Sequence, residues 1–197
     1  MNYRYNFYKK AKIHLCCEYN DLRPVFGFIK FEDGKAIATN DHLILIADIK
    51  EISNLEDDDI NKLNGHLISS FMYNEILRYD EIKVTDKGIE CVGNKSRYDE
   101  IHAFYKFDKS ESSYNFPNYK EAILKSTTHN LPKDEFYVAI KKSTFDKALD
   151  AVGASYIDLK FTSSNGAIHF KFCDMPNTEG VIRPSTLGSI WKEHIID

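Results

Sequence analysis

A recurring order of elements limits the fold more than any other feature of the sequence: strand, short helix, hairpin, closing strand. The order is complete in residues 134–184 and 65–107, and recognisable without its first strand in residues 3–50. A glycine marks the hairpin turn of each copy, at Gly34, Gly88 and Gly166. One such unit cannot bury both an apolar helix face and an apolar sheet face, so the recurrence predicts βαββ-type modules stacked on a shared core. The fold class is α+β, with antiparallel strands.

The local signals fill in this frame. Phe7, Ala11 and Leu15 recur every four residues and predict a helix over 3–17. Pro24 breaks the chain, Val25 to Phe31 reads as a strand, Glu32-Asp33-Gly34 as a turn, Lys35 to Thr39 as the return strand, and His42 to Ile49 as a third. The acidic run Glu56 to Asp59 lacks the alternating oxygen ligands and turn glycine of a calcium loop, and predicts a solvated loop over 54–64. In the second copy, Leu67-Ile68 is a strand, Ser69 or Ser70 an N-cap, and Phe71 to Tyr79 a helix. Strands follow at Glu81 to Val84, Ile89 to Val92 and Ile101 to Phe107. In the third copy, Phe136 to Ile140 is a strand and Ser143-Thr144-Phe145-Asp146 resembles a capping box. Phe145, Ala148, Leu149 and Val152 form a helix stripe that ends at Gly153. Tyr156 to Phe161 and Ala167 to Phe172 make a hairpin, and Gly180 to Arg183 a last short strand.

Charge excludes one class of function. Lys+Arg 26 against Asp+Glu 30 gives a net charge of -4, so bulk positive charge cannot drive nucleic-acid coating. No apolar window is long enough for a membrane helix, and residues 1–12 lack the apolar stretch of a signal peptide. Cys16, Cys17, Cys91 and Cys173 form no CxxC pair, which fits reduced thiols in a cytoplasmic protein. The histidines are scattered, and no HExxH, GxSxG, GxxxxGK[ST] or GxGxxG occurs. No enzyme activity, metal or cofactor is expected; the adjacent Cys16-Cys17 pair is the remaining candidate nucleophile.

Two short segments carry a resemblance. Ala38-Thr39-Asn40-Asp41-His42-Leu43 resembles the Ala-Thr-Asp-Gly-His-Arg-Leu segment of bacterial sliding clamps, the beta subunits of DNA polymerase III. Phe116-Pro117-Asn118-Tyr119-Lys120 resembles the Phe-Pro-Asp-Tyr-Arg segment of the same family. Clamps of this family are non-catalytic rings that encircle duplex DNA, with helices lining the hole and sheets forming the outer wall. The resemblance implies a DNA-clamp-like fold of repeated βαβββ half-modules with helices on one face of antiparallel sheets. It implies a complete domain over 1–108, a connector over 109–133, a third half-module over 134–184 and a tail over 185–197, a candidate helix that carries Trp191. A third half without a partner exposes Phe145, Leu149 and Val152 and predicts a twofold homo-oligomer.

The resemblance also implies two sites. Phosphate contacts, independent of base sequence, would come from Lys9, Lys10 and Lys12, from Arg78, and from Lys141, Lys142 and Lys147. Read singly, each is equally an ordinary solvated cation. A cleft for short linear peptides of a DNA polymerase or other replication proteins would use Thr39, His42, Leu43, Ile44, Leu124, Val181, Ile182 and Arg183. Leu43, Ile44 and Val181 read equally as strand core. Asp41, Leu43, Leu124 and Arg183 depart from the family residues, which bears on peptide specificity. The function implied is a replication processivity factor; the alternative is a clamp-fold interaction module that does not encircle DNA.

Overall fold

A computed structural model of the protein describes residues 5–40, 42–94, 100–107, 115–127, 138–161 and 166–185. In chain order the elements are β1 (Phe28–Glu32), β2 (Lys35–Thr39), β3 (Leu43–Asp48), α1 (Ile49–Ile52), α2 (Asp57–Leu63), β4 (Leu67–Ser69) and α3 (Ser70–Ile76). They continue with β5 (Glu81–Thr85), β6 (Gly88–Asn94), β7 (Glu100–Lys106), α4 (Tyr119–Thr127), α5 (Lys142–Val152), β8 (Ile157–Lys160), β9 (Ile168–Phe172) and β10 (Met175–Ile182). Among the described residues one antiparallel sheet has seven strands in the order β4-β1-β2-β3-β10-β9-β8, and a second has three in the order β5-β6-β7.

Alternation builds the large sheet. Ile29, Phe31, Leu43, Leu45, Phe170, Phe172 and Ile182 point to one face and enter a continuous core with Tyr73 and Ile76 of α3 and Ala148, Ala151 and Val152 of α5. The same core takes Ile82, Val84, Ile89 and Cys91 from the small sheet. The β1–β2 turn is tight because both central residues, Asp33 and Gly34, adopt positive φ (52° and 72°), the geometry whose twist suits a two-residue hairpin.

The apolar face of the third unit is filled within the chain. Ala148, Ala151 and Val152 are buried, and Phe145 and Leu149 pack on the common core. β10 pairs with β3 of the first unit, so the expectation that this unit exposes an unpartnered apolar face with Phe145, Leu149 and Val152 is corrected.

Several local expectations also change. Of the α-helix expected over 3–17, the described residues 5–17 form none: Phe7 bridges Ser53, Tyr8 N–H donates to Ile52 O at 2.8 Å, and a 3-10 turn forms over Ile13–Cys16. These pairings with the end of α1 and the residue that caps it outweigh the four-residue stripe. A 3-10 turn over Pro24–Gly27 likewise replaces the start of the strand expected from Val25. The acidic run opens α2 instead of a loop. Asp57, Asp58 and Asp59 sit in the first turn, where the helix dipole favours them, and Ile60 and Leu63 are buried. Ser69 is the N-cap of α3, accepting Met72 N–H at 3.1 Å. The capping box at Ser143 does not form: Lys141 is the N-cap residue of α5, and Asp146 pairs with Lys142 one turn back. β10 is longer than expected and carries a bulge between Met175 and Glu179. Helix α4 was not expected, and it lies on the face of the large sheet opposite the core. The tail helix with Trp191, the turn at Ser164 and the first two residues of the strand expected over Phe136 to Ile140 lie outside the described residues; the last three of that strand make only the bridge between Ala139 and Ser185.

Candidate functional site

Asn40 organises the turn that enters β3. Its Oδ1 accepts from the N–H groups of His42 (2.8 Å) and Leu43 (2.9 Å), and its own N–H donates to Leu43 O at 2.9 Å. The Thr39 hydroxyl donates to the carbonyls of Asn40 and Leu43, both at 3.0 Å. A short amide side chain closes such a turn because it reaches the backbone two or three residues on. The turn leaves His42 exposed, and the His42 carbonyl accepts Arg183 N–H at 2.8 Å. From there Leu43 pairs with Ile182 and Ile44 with Val181, while Thr39 of β2 pairs with Ile44. Seven of the eight cleft candidates therefore share one seam, drawn from segments far apart in the chain.

Strand alternation then divides them. Leu43 and Ile182 face the core and are buried in it, so they hold the seam together. Ile44 faces the other way, onto a patch made by Ile37, Ile46, Tyr119, Phe116 and Ile123. Its register partners Thr39 and Val181 share that face. Leu124 is the candidate left out. It lies on the solvent side of α4, 60% exposed, and its neighbour Ile123 makes the contact with the patch.

The connector is pinned over this patch. The Tyr119 hydroxyl donates to the Glu32 carboxylate, which holds the Glu32 carboxyl below its usual range; Lys30 adds to the shift and burial opposes it. Lys120 pairs with Asp33 at 3.0 Å, and the Lys30 ammonium lies 5.7 Å from the centre of the Phe116 ring. Beside them on the sheet, Glu179 meets His169 at 2.7 Å, and that contact lowers the Glu179 carboxyl.

Open space adjoins the His42 end of the seam. A small recess of about 70 Å³ is lined by Glu18, Asn20, Phe26, Asn40 and His42. Phe26 also lines a larger hollow of about 360 Å³ formed by residues 22–26 with Asn115 and Pro117. Leu22 stands 91% exposed at its edge. Sequence reasoning missed Asn40, Leu22 and Phe26. The pairing of Asn40 with the next strand was a readable turn signal, whereas the hollow joins the connector to a distant loop and has no sequence pattern.

The cation candidates gather around α3, α5 and the segment that packs against them. The Tyr73 hydroxyl of α3 donates to Ala11 O at 3.0 Å, and a Cβ on Gly153, after α5, would meet the Lys10 Cβ at 3.3 Å. Ala11 and Ile13 are thereby buried while Lys10 and Lys12 stay exposed. Four of the seven candidates carry acidic partners: Lys9 with Asp80 (3.4 Å), Arg78 with Glu75 (3.1 Å), Lys147 with Glu18 (3.5 Å) and Lys142 with Asp146. Lys10, Lys12 and Lys141 make no ion pair among the described residues. Lys10 and Lys141 sit at opposite ends of α5, about 16 Å apart along its axis.

The Cys16-Cys17 pair is not poised for nucleophilic attack. Burial raises both thiols, Cys17 to about 12, so neither is a thiolate near neutral pH. No helix among the described residues is long and apolar enough to cross a membrane.

No protein-family model and no curated protein matches the sequence. Solved structures do match in fold. A Eubacterium rectale protein assigned as a DNA polymerase III beta subunit aligns over 96% of this chain and 65% of its own, with a TM-score of 0.51 at 13% identity. The DNA polymerase III subunit beta of Pseudomonas aeruginosa aligns over 94% and 66%, with a TM-score of 0.54 at 11% identity. The DNA polymerase sliding clamp of Bacillus subtilis aligns over 91% and 62%, with a TM-score of 0.55 at 11% identity. The mixed helix and antiparallel-sheet architecture is thus the sliding-clamp fold, in a chain that spans just under two thirds of these proteins' length.

Proposed function

We propose that this clamp-fold protein is a replication processivity factor: it holds duplex DNA without sequence preference and tethers replication proteins through short linear peptides, without catalysis. One observation carries the reading. The Thr39–Ile44 turn and strand and the Val181–Arg183 segment, the segments expected to build a peptide cleft, lie side by side; a small recess opens at His42, and Phe26 in its wall also lines an apolar hollow. A peptide would place apolar anchors against Leu22, Pro24 and Pro117, with His42 and the free edges of the loop fixing its register. The test is affinity for a short synthetic peptide of the kind bacterial clamps take. Leu22→Asp and His42→Ala each change an exposed side chain and are expected to weaken binding about tenfold. A parent that binds no such peptide, or variants that bind as the parent does, would remove the site.

A second reading, an interaction module that does not encircle DNA, is favoured by the acidic partners on four of the seven cations. Exposed pairs of this kind leave little net field for phosphates. Retention on duplex DNA separates the readings. With Lys10, Lys12 and Lys141 replaced by Glu, the processivity reading predicts that the slope of log affinity against log salt shrinks by about 3. The interaction-module reading predicts no parent affinity to lose.

A further inference from the structure

The last described residues leave the sheet at a fixed place. Arg183 N–H donates to His42 O at 2.8 Å, and Ser185 N–H donates to Ala139 O at 2.8 Å. The chain is therefore handed on beside His42, which lines the small recess. Phe26 belongs to that recess and also to the hollow of about 360 Å³ lined by Leu22, Pro24 and Pro117. Tyr19 adds exposed ring surface nearby, against Gly27, the residue after Phe26. Phe71, Phe104 and Tyr156 are exposed too, but none of them lines either opening.

Residues 186–197 lie outside the described residues, and their sequence suits this surface. Leu187, Ile190 and Trp191 recur at i, i+3 and i+4, the spacing of one apolar stripe. Trp191 is six residues beyond Ser185. That separation spans about 20 Å if extended and about 9 Å if helical. Either reach crosses a recess of about 70 Å³. An indole is flat and mostly apolar, with one N–H to direct, and the Glu18 carboxylate in the recess can accept it. The hollow is of the size that takes a small apolar group with one neighbour.

We propose that the segment 186–197 docks on its own chain, with Trp191 in the hollow beside Leu22, Pro24 and Pro117 and with Ile190 next to it. The segment is tethered a few residues from the hollow, so its effective concentration there is in the millimolar range and a weak contact suffices. The docked segment is an internal competitor for the hollow: a peptide binds only the fraction of molecules in which Trp191 has left. Docking requires neither DNA nor peptide; the competition rests on the reading of the hollow as a peptide site.

Trp191 is the only tryptophan in the chain, so its fluorescence in the full chain reports the docking directly. In the parent the emission is that of a shielded indole, acrylamide quenches it slowly, and neither property changes with protein concentration. Leu22→Asp moves the emission to the red and raises the quenching rate several-fold, while its far-ultraviolet circular dichroism stays that of the parent. Leu124→Asp, at an exposed position on α4, leaves the emission and quenching unchanged. Calorimetry with the synthetic clamp-type peptide reads the competition. Trp191→Ser tightens peptide binding about tenfold if the segment occupies about nine-tenths of the molecules. An indole already exposed in the parent, one still shielded in Leu22→Asp, or shielding that grows with concentration would each overturn the docking. An indole released by Leu22→Asp, in a chain whose peptide affinity is unchanged by Trp191→Ser, would confirm the docking and overturn the competition. Should neither chain bind the peptide, the peptide reading of the hollow fails and the docking stands.

Discussion

Gly180→Val is expected to cost about 3 kcal/mol and to loosen the β3–β10 seam. A Cβ at this position would stand 2.3 Å from the Ile44 carbonyl oxygen and 2.3 Å from the tip of the Phe170 ring. The ring of Phe170 fills the space a side chain would need, and it is itself buried in the core with Phe172 in edge-to-face contact at 5.4 Å. Neither neighbour yields easily, because one is backbone in a paired strand and the other a packed aromatic. The strand must move away from Ile44, which is where the Thr39–Ile44 and Val181–Arg183 segments meet. Thermal unfolding should show a fall of about 9 °C for a chain of this length. Amide exchange at Leu45 and Val181 should speed up more than exchange in β6. Gly27→Ala is the control: its nearest contact would be the ring of exposed Tyr19, at 3.3 Å, with the Tyr19 Cα at an ordinary 3.8 Å, and about 0.5 kcal/mol is expected. A Gly180→Val midpoint within about 2 °C of the parent would mean the seam is not close-packed.

Hairpins were the most legible part of this sequence, because both signals they need are local. Asp33-Gly34 supplies two positive φ values, and the alternation of Ile29 and Phe31 with Lys30 and Glu32 sets the face. The order of strands in the large sheet was not local. The meeting of β3 with β10 follows from no period in either segment, and only the resemblance to clamp segments pointed to it. Residues 5–16 were misread for the opposite reason: their stripe is genuine, since Phe7 and Ala11 are buried, but backbone pairing with Ile52 and Ser53 sets the conformation.

The same split governs the charged residues. The pairs Glu75–Arg78 and Lys142–Asp146 lie one helical turn apart and were readable from spacing. The partners of Lys9 and Lys147 are Asp80 and Glu18, brought in by packing of other segments, and no spacing predicts them. A list of basic residues from sequence therefore overstates the positive field of the folded face.

The segment that carries Lys10 and Lys12 depends on one side chain, and Tyr73→Ala is expected to show it. Among the described residues Tyr73 is the largest fully buried side chain, its ring tilted against Phe7 at 5.1 Å and against His14 at 6.0 Å. Burial raises its phenol, so the hydroxyl stays protonated and keeps donating to Ala11 O at 3.0 Å. Truncation to Ala removes an aromatic ring from a packed core and should cost about 4 kcal/mol, roughly 12 °C in midpoint. Tyr73→Phe keeps the ring and deletes only the donor; about 1 kcal/mol is expected, from the carbonyl left without its partner. The two variants separate packing from anchoring. If Tyr73→Phe alone speeds amide exchange across residues 8–13 and weakens retention on DNA, the hydroxyl positions Lys10 and Lys12. If it costs stability but leaves retention unchanged, the anchor serves the core, and the lysines act without it.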